Sequence, residues 1–232
     1  MSRLDDLAAG LATVRGRISG ACREVGRDPD SVSLVVVTKF FPASDVRLLA
    51  ELGVTDVGEN RHQEAETKAR DCADLGLRWH FIGGLQSNKA AAVAAYADVV
   101  ESVDRPKVVT GLERGAAARD QVIDVLVQVS LDPPGAEHRA GVDPEQLDAL
   151  ARTVSGASHL NLAGLMAVAP LGEDPDRAFA RLAEVRQRFL ASHPAAVTLS
   201  AGMSGDLQAA IAHGATHVRV GSAILGPRPE IL

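Results

Sequence analysis

Aromatic residues are scarce in this chain of 232 residues: one Trp, one Tyr and five Phe, 3% in all. A core that leans on aromatic filling is therefore disfavoured. The interior has to be built from Val, Leu, Ile and Ala, the usual filling of buried parallel strands. Cysteine is as scarce. Cys22 and Cys72 lie far apart and in no metal or redox spacing, so they read as reduced thiols of a cytoplasmic protein. No apolar run is long enough to span a bilayer. The first residues include Asp5 and Asp6 and lack the unbroken apolar stretch of a secretory signal. Positive charge never gathers into a stripe, and the net charge is −6, which argues against nucleic acid as a partner.

What is present is a 46% hydrophobic chain of a length that suits one β/α barrel, which takes roughly 250 residues. Leu4, Leu7, Leu11, Val14, Ile18 and Val25 fall at helical spacing and predict an amphipathic helix from Ser2 to Val25. Beyond it, short β-branched runs alternate with longer helical patterns, the signature of a parallel α/β sheet. Eight strands are expected: Leu34–Thr38, Thr55–Gly58, Arg78–Ile82, Val99–Ser102, Ile123–Ser130, Asn161–Met166, Val197–Leu199 and His217–Val220. The helices between them are expected at Ala43–Leu52, Arg61–Leu75, Ser87–Tyr96, Pro106–Arg119, Pro144–Ser155, Asp174–His193 and Ser204–His213. Gly53 and Gly214 read as left-handed helix ends. Pro144 behind Asp143 reads as a capped helix start. Asp132-Pro133-Pro134-Gly135 reads as a loop, and no linker or repeat is found. The fold class is thus a (β/α)₈ TIM barrel in a single domain of residues 1–232, with an extra N-terminal helix over 1–26 and the barrel over 34–232. An open doubly wound sheet is the alternative, since counting strands cannot show closure.

Active residues of a barrel lie at the carboxyl ends of its strands. Lys39 follows the apolar run Val35-Val36-Val37. Burial of its stem would lower its pKa and favour a neutral amine able to attack a carbonyl; the plainer reading is a lysine snorkelling into water. At the ends of strands seven and eight, Gly202, Ser204 and Gly205, then Gly221 and Ser222, suggest an anion cradle. Ser204 is expected to open a helix, and Ala223–Leu225 to form the short extra helix of a barrel phosphate site. Ordinary turn chemistry is the alternative. A lysine facing a phosphate cradle implies a phosphorylated carbonyl compound. Pyridoxal phosphate fits, and so does the sugar phosphate of an aldolase.

Other residues carry weaker signals. His80, between Trp79 and Phe81, reads as structural, since no carboxylate or serine partner is evident. His213 and His217 flank Gly214 and share no helical face, so no metal site is expected. Asp174-Pro175-Asp176-Arg177 reads as a helix start with acid in its first turn. Glu59 and Glu64 either orient Lys39 or Arg61, or are solvated acids at a helix start.

At these residues the sequence resembles the pyridoxal phosphate homeostasis protein family (YggS/PROSC type), which adopts the barrel of the alanine racemase N-terminal domain. The matching segments are Val36-Val37-Thr38-Lys39 with Pro42, Gly58-Glu59-Asn60-Arg61 with Gln63-Glu64, and Trp79-His80-Phe81-Ile82-Gly83 with Leu85-Gln86-Ser87-Asn88-Lys89. Further on come Gly164-Leu165-Met166-Ala167, Ser200-Ala201-Gly202-Met203-Ser204 with Asp206, and Val218-Arg219-Val220-Gly221 with Ile224, Gly226 and Arg228. The resemblance implies a pyridoxal 5′-phosphate cofactor held as an imine on Lys39, with Ser204, Gly221 and Ser222 on its phosphate. Asn60 and Met166 would border it. Arg219, on the same strand face as Gly221, would approach the pyridine nitrogen. Ala201 and Leu225 stand where methionine and phenylalanine are common, and Arg139 stands where lysine is usual.

Two classes of function follow. One is a non-catalytic carrier acting in intracellular pyridoxal phosphate homeostasis, with apo-enzymes that require the cofactor as possible recipients. The other is a cofactor-dependent amino-acid racemase or lyase. In the alanine racemase architecture a tyrosine from an appended β domain acts as second base. No such domain is expected before Leu232, and Tyr96 is expected at a helix end away from the rim. The carrier is the favoured reading, as a monomer or weak dimer, with a weak side activity on amino acids left open.

Overall fold

The computed structural model describes residues 2–133 and 141–227. Pro134, Gly135, Arg139 and Arg228 therefore lie outside the described residues. Helix α1 (Arg3–Glu24) comes first. Strand and helix then alternate: β1 (Ser33–Val37), α2 (Ala43–Glu51), β2 (Asp56–Glu59), α3 (His62–Asp71), β3 (Arg78–Phe81), α4 (Ala90–Ala94), β4 (Val99–Val103), α5 (Pro106–Ala118), β5 (Ile123–Gln128), α6 (Leu147–Ser155), β6 (Leu160–Met166), α7 (Pro175–Ser192), β7 (Thr198–Ser200), α8 (Leu207–Ala212), β8 (His217–Val220) and α9 (Ser222–Leu225). Among the described residues no helix is long and apolar enough to cross a membrane.

All eight expected strands form, and every pairing is parallel. The sheet closes: Val36 of β1 stands opposite Val57 of β2 on one side and Val220 of β8 on the other. That closure removes the open-sheet alternative. The period-2 alternation of each strand divides its side chains between two environments. Outward residues such as Val100, Val127, Leu165 and Leu199, or Val36, Trp79 and Val220, are buried with helical residues in two large aliphatic clusters. Inward positions carry Asp56, His80, Glu101, Ser200 and Arg219, which contact one another across the lumen. The expected aliphatic filling thus holds between strands and helices. Inside the barrel the apolar cluster is small: Val99, Leu126 and Met166.

Helix α1 begins with a capping box, the Ser2 hydroxyl accepting from the Asp5 amide and the Asp5 carboxylate from the Ser2 amide. Leu7, Leu11, Val14 and Ile18 are buried as expected, while Val25 at the C-cap is 42% exposed. Three helices start three residues later than the sequence pattern suggests. Lys89, Gln146 and Asp206 each donate a backbone bond to the residue three positions earlier. The chain before α4, α6 and α8 is therefore a tight turn, not the first turn of the helix. Pro144 and Ser204 both sit in such turns. Gly53 and Gly214 have φ of 76° and 93°, as their helix-end role requires.

Gly10 sets how closely α1 approaches α9: a Cβ there would stand 2.8 Å from the Ile224 Cα and carbonyl oxygen. Gly16, on the same helix, has open space around it. Gly10→Ala is expected to destabilise the protein by about 1–3 kcal/mol through backbone displacement. Gly16→Ala is expected to stabilise it by roughly 0.5–1 kcal/mol through helix propensity. Urea unfolding midpoints of the two variants check the contrast.

Candidate functional site

The carboxyl ends of β1 and β8 lie side by side, and a cavity of about 300 Å³ opens there. Lys39, Ser204, Arg219, Gly221 and Ser222 line it, together with Val37, Phe40, Phe41, Ile82, Met203, Gly205 and Gly226. Five of the seven expected site residues thus line one cavity. Asn60 and Met166 are not among those lining it. Asn60 follows β2 and is covered by Gly83, where a Cβ would stand 2.5 Å from the Asn60 Oδ1. Met166 is buried inside the barrel against Val99 and Leu126. Two larger clefts, of about 500 and 360 Å³, border α3–β3 and α1–β1. They gather none of the expected residues, so chemistry and not size selects the rim.

The lining of the rim cavity contains two cationic side chains, Lys39 and Arg219, and no carboxylate. Its composition suits an anion. The amides of Ser204, Gly205, Ser222 and Ala223 have no hydrogen-bond partner among the described residues. Ser204 does not open a helix as expected; it lies in the turn before α8. That turn is held by Asp206, whose Oδ1 accepts from the Met203 amide at 2.6 Å. It is also braced from outside, where Arg17 of α1 donates to the Ser204 carbonyl at 2.8 Å. Arg3 likewise reaches the Leu225 carbonyl at the end of α9, at 3.1 Å. Gly221 is required by crowding, since a Cβ would stand 2.9 Å from the Val37 carbonyl oxygen.

Lys39 is half-buried, less enclosed than the sequence suggests. It sits in a turn whose next residue, Phe40, has φ of 73°. A bulky residue in that region costs of order 1–3 kcal/mol unless its surroundings enforce it. Glu64 of α3 accepts from the Phe40 amide at 2.6 Å, and the Phe41 amide donates to the Thr38 carbonyl at 3.1 Å, closing the turn. Buried Lys68 donates to the Thr38 carbonyl at 2.8 Å, to Glu59 at 2.7 Å and to Glu64 at 2.5 Å. Glu59 also accepts from the Thr38 hydroxyl at 2.6 Å. Burial pushes the Glu59 carboxyl up despite the opposing Lys68 charge. Glu59 is 1% exposed, so it is not a solvated acid; it pairs with Lys68, and Glu64 bonds both Lys68 and the Phe40 amide. Lys39 Nζ stands 5.9 Å and the Arg61 guanidinium 4.9 Å from the centroid of the Phe40 ring.

Beneath the cavity, Arg219 donates to the Ser200 hydroxyl at 2.6 Å and to the Ala167 carbonyl at 3.0 Å. Ser200 donates to Glu101 Oε2 at 2.6 Å, and Glu101 Oε1 meets His80 Nδ1 at 2.8 Å. His80 Nε2 meets Asp56 Oδ1 at 2.9 Å. A continuous polar chain therefore runs from the rim through the lumen. His80 is structural, as read, but it has two carboxylate partners that its sequence neighbours do not reveal. Burial alone would raise Glu101; the His80 hydrogen bond and the Arg219 charge overcome it and hold the carboxyl at about 2. Burial alone would lower His80, and the hydrogen bonds to Asp56 and Glu101 raise it instead. Burial lowers Arg219, though a guanidinium stays charged at any working pH.

Sequence reasoning missed Glu101, Ser200, Asp56 and Lys68. For Glu101 a signal existed: a carboxylate in the apolar strand Val99–Val103. For Lys68 it was the spacing of four from Glu64. The two histidines questioned as a metal pair are apart: His213 pairs with Asp176 outside, while His217 lies in the lumen 6.3 Å from the His80 ring.

The family described as alanine racemase, N-terminal domain, matches residues 28–229. The chain is 42% identical to the pyridoxal phosphate homeostasis protein of Mycobacterium leprae, over 97% of this chain and 94% of the relative. It is 44% identical to that of Corynebacterium glutamicum, over 93% and 99%. Among solved structures it is similar to PipY of Synechococcus elongatus with PLP bound, at TM-score 0.82 and 34% identity, covering 95% of this chain and all of that one.

The lumen chain makes stability depend on pH. His80 is raised, so its stabilising proton is fully held below about pH 6.5 and lost as pH rises through the higher folded value. The stability difference between the native protein and His80→Asn is expected to narrow as pH rises from that point, as measured by urea titration at a series of pH values. Glu101 is depressed, so its contribution is full above 4.5 and fades as pH falls towards about 2. Glu101→Leu, which leaves Arg219 buried without its counter-charge, is expected to cost about 3–5 kcal/mol at neutral pH in the same measurement.

Proposed function

The chain belongs to the pyridoxal phosphate homeostasis protein family, built on the alanine racemase N-terminal barrel, and from that premise we propose that it carries pyridoxal 5′-phosphate on Lys39 and holds and delivers it without acting as an enzyme. The carrying observation is that a single cavity at the strand ends joins a lysine amine, just beyond β1, to a carboxylate-free cradle of small residues after β7 and β8. The residues present fit this group. A Cβ at Gly205 would meet open space, whereas one at Gly221 would crowd Val37, so the backbone is bare where a phosphate would seat.

The roles divide by position. Ser204, Gly221 and Ser222 hold the phosphate, with the amides of Gly205 and Ala223 beside them. Lys39 provides the attachment point. Arg219 faces the cavity as a permanent cation pinned by Ser200 and Ala167, and it keeps the ring nitrogen unprotonated. Asn60 and Met166 border the site from behind its lining. Bound pyridoxal phosphate supplies an aldehyde for a primary amine and, where its nitrogen is protonated, an electron sink; an arginine at that nitrogen weakens the sink. This supports a carrier over a racemase or lyase.

The position of Tyr96 supports the same reading. The sole tyrosine follows α4, stacks on His62 at 5.8 Å between ring centroids, and is pushed up in pKa by burial. It does not line the rim cavity and offers no second base there.

Lys39→Ala is expected to abolish the covalent adduct while phosphate-anchored binding remains. Absorbance titration with pyridoxal phosphate, then borohydride reduction and peptide mapping, reads both. Adduct formation undiminished in the variant would remove Lys39 from the assignment. For delivery, the loaded protein is expected to activate an apo-enzyme faster than free cofactor at the released concentration. Equal rates would count against direct transfer and leave a buffer.

A further inference from the structure

The peptide groups on both sides of the Lys39 Cα are tied to α3, and by different residues. The Thr38 carbonyl, in the preceding peptide, accepts from Lys68 at 2.8 Å. The Phe40 amide, in the following peptide, donates to Glu64 at 2.6 Å. Each peptide is planar, so fixing both planes fixes φ and ψ of the residue between them. The direction of the Cα–Cβ bond of Lys39 is thereby set, and with it the arc that a long, flexible side chain sweeps. We propose that Lys68 and Glu64 are positioning residues for Lys39, forming a buried clamp that aims its amine across the cavity towards the glycine-serine cradle.

Three features carry this inference, which rests on the assignment of Lys39 above. First, the two clamp residues are joined to each other: Lys68 and Glu64 lie 2.5 Å apart across one turn of α3. A shift in one moves both peptide planes. Second, Lys68 spends all three of its ammonium protons, on the Thr38 carbonyl, Glu59 and Glu64. It is 5% exposed. It therefore has no free donor and no access to the cavity, and is a support instead of a second reactive amine. Third, Phe40 occupies the left-handed region at φ 73°, which a bulky residue leaves when nothing holds it. The Glu64 carboxylate helps to hold it, together with the Phe41 amide, which donates to the Thr38 carbonyl at 3.1 Å and closes the turn. Without the Glu64 bond the peptide after Lys39 loses its tie to α3, the turn is held less firmly, and the Lys39 side chain is carried off its line.

Glu64 is the residue to change, because its side chain is 24% exposed and its loss leaves no deeply buried charge unpaired. Lys68→Met strands Glu59 and serves only as a second variant, made together with Glu59→Gln. Two ligands separate aiming from binding: pyridoxal 5′-phosphate, which forms the adduct, and pyridoxine 5′-phosphate, which has the same phosphate and no aldehyde. Glu64→Ala is expected to slow adduct formation about tenfold while affinity for pyridoxine 5′-phosphate stays within about twofold, since displacement of a reacting group by about an ångström costs rate and not anchoring. Glu64→Gln keeps an oxygen acceptor for the Phe40 amide and is expected to recover most of the rate. The double variant is expected to resemble Glu64→Ala. Borohydride mapping of the native protein separates the two layers of inference. If the native adduct lies on Lys39 and Glu64→Ala forms it at the native rate, or loses affinity for both ligands equally, the clamp is overturned and the assignment of Lys39 stands. If the native adduct maps to another residue, both fall together.

Discussion

The pairing of the first strand with the last makes the site. Val36 and Val220 are neighbours in the sheet although 184 positions separate them in the chain. Every other strand pair joins segments that follow one another. This pair closes the ring, and it brings the residues just beyond each strand, Lys39 and Gly221, to one cavity. The fit is tight enough that Gly221 tolerates no side chain against the Val37 carbonyl. The Lys39 amine and the glycine-serine turns after β7 and β8 therefore come to one cavity through the sheet's closure.

Closure also divides the barrel into two chemical compartments. Most of the buried aliphatic residues lie outside the ring, between strands and helices, in two large clusters. That shell carries the hydrophobic stabilisation. The lumen is consequently free to hold Arg219, Ser200, Glu101, His80 and Asp56 as a connected chain. Buried charges of this kind are tolerable only when each is partnered, and here every link has one within 3 Å. The result is a cation fixed in place at the floor of the cavity, with its counter-charge underneath and out of a ligand's way.

The fold was legible because its signals are local. Alternation of short β-branched runs with helical periods predicts the eight strands to within a residue or two at most ends, and glycines such as Gly53 and Gly214 mark where helices stop. The tight turns before α4, α6 and α8 were not legible, since a three-residue turn and a first helical turn differ by one hydrogen bond and share one sequence pattern. Lys39, Ser204, Gly221 and Ser222 line one cavity because each follows a strand end, and Arg219 joins them from within β8. Asn60 follows β2 and Met166 ends β6, yet neither lines the cavity, for residue position gives a rim but not a depth. The lumen chain was the least legible part. His80 meets Glu101 of the next strand, 21 positions on in sequence, and Glu101 meets Ser200 across the ring. Such contacts depend on curvature that no local pattern encodes.

Helix α1 lies outside the strand-helix alternation, yet it reaches the cradle through Arg17, which draws the Ser204 carbonyl outward. In a trans peptide the carbonyl and the amide that follows point in opposite directions. Drawing that oxygen to the outer surface turns the N–H of Gly205 inward. A helix on the back of the molecule thus sets the sign of the partial charge shown at the front, and the loop's electrostatic face is inherited from an element that touches no part of the cavity's interior.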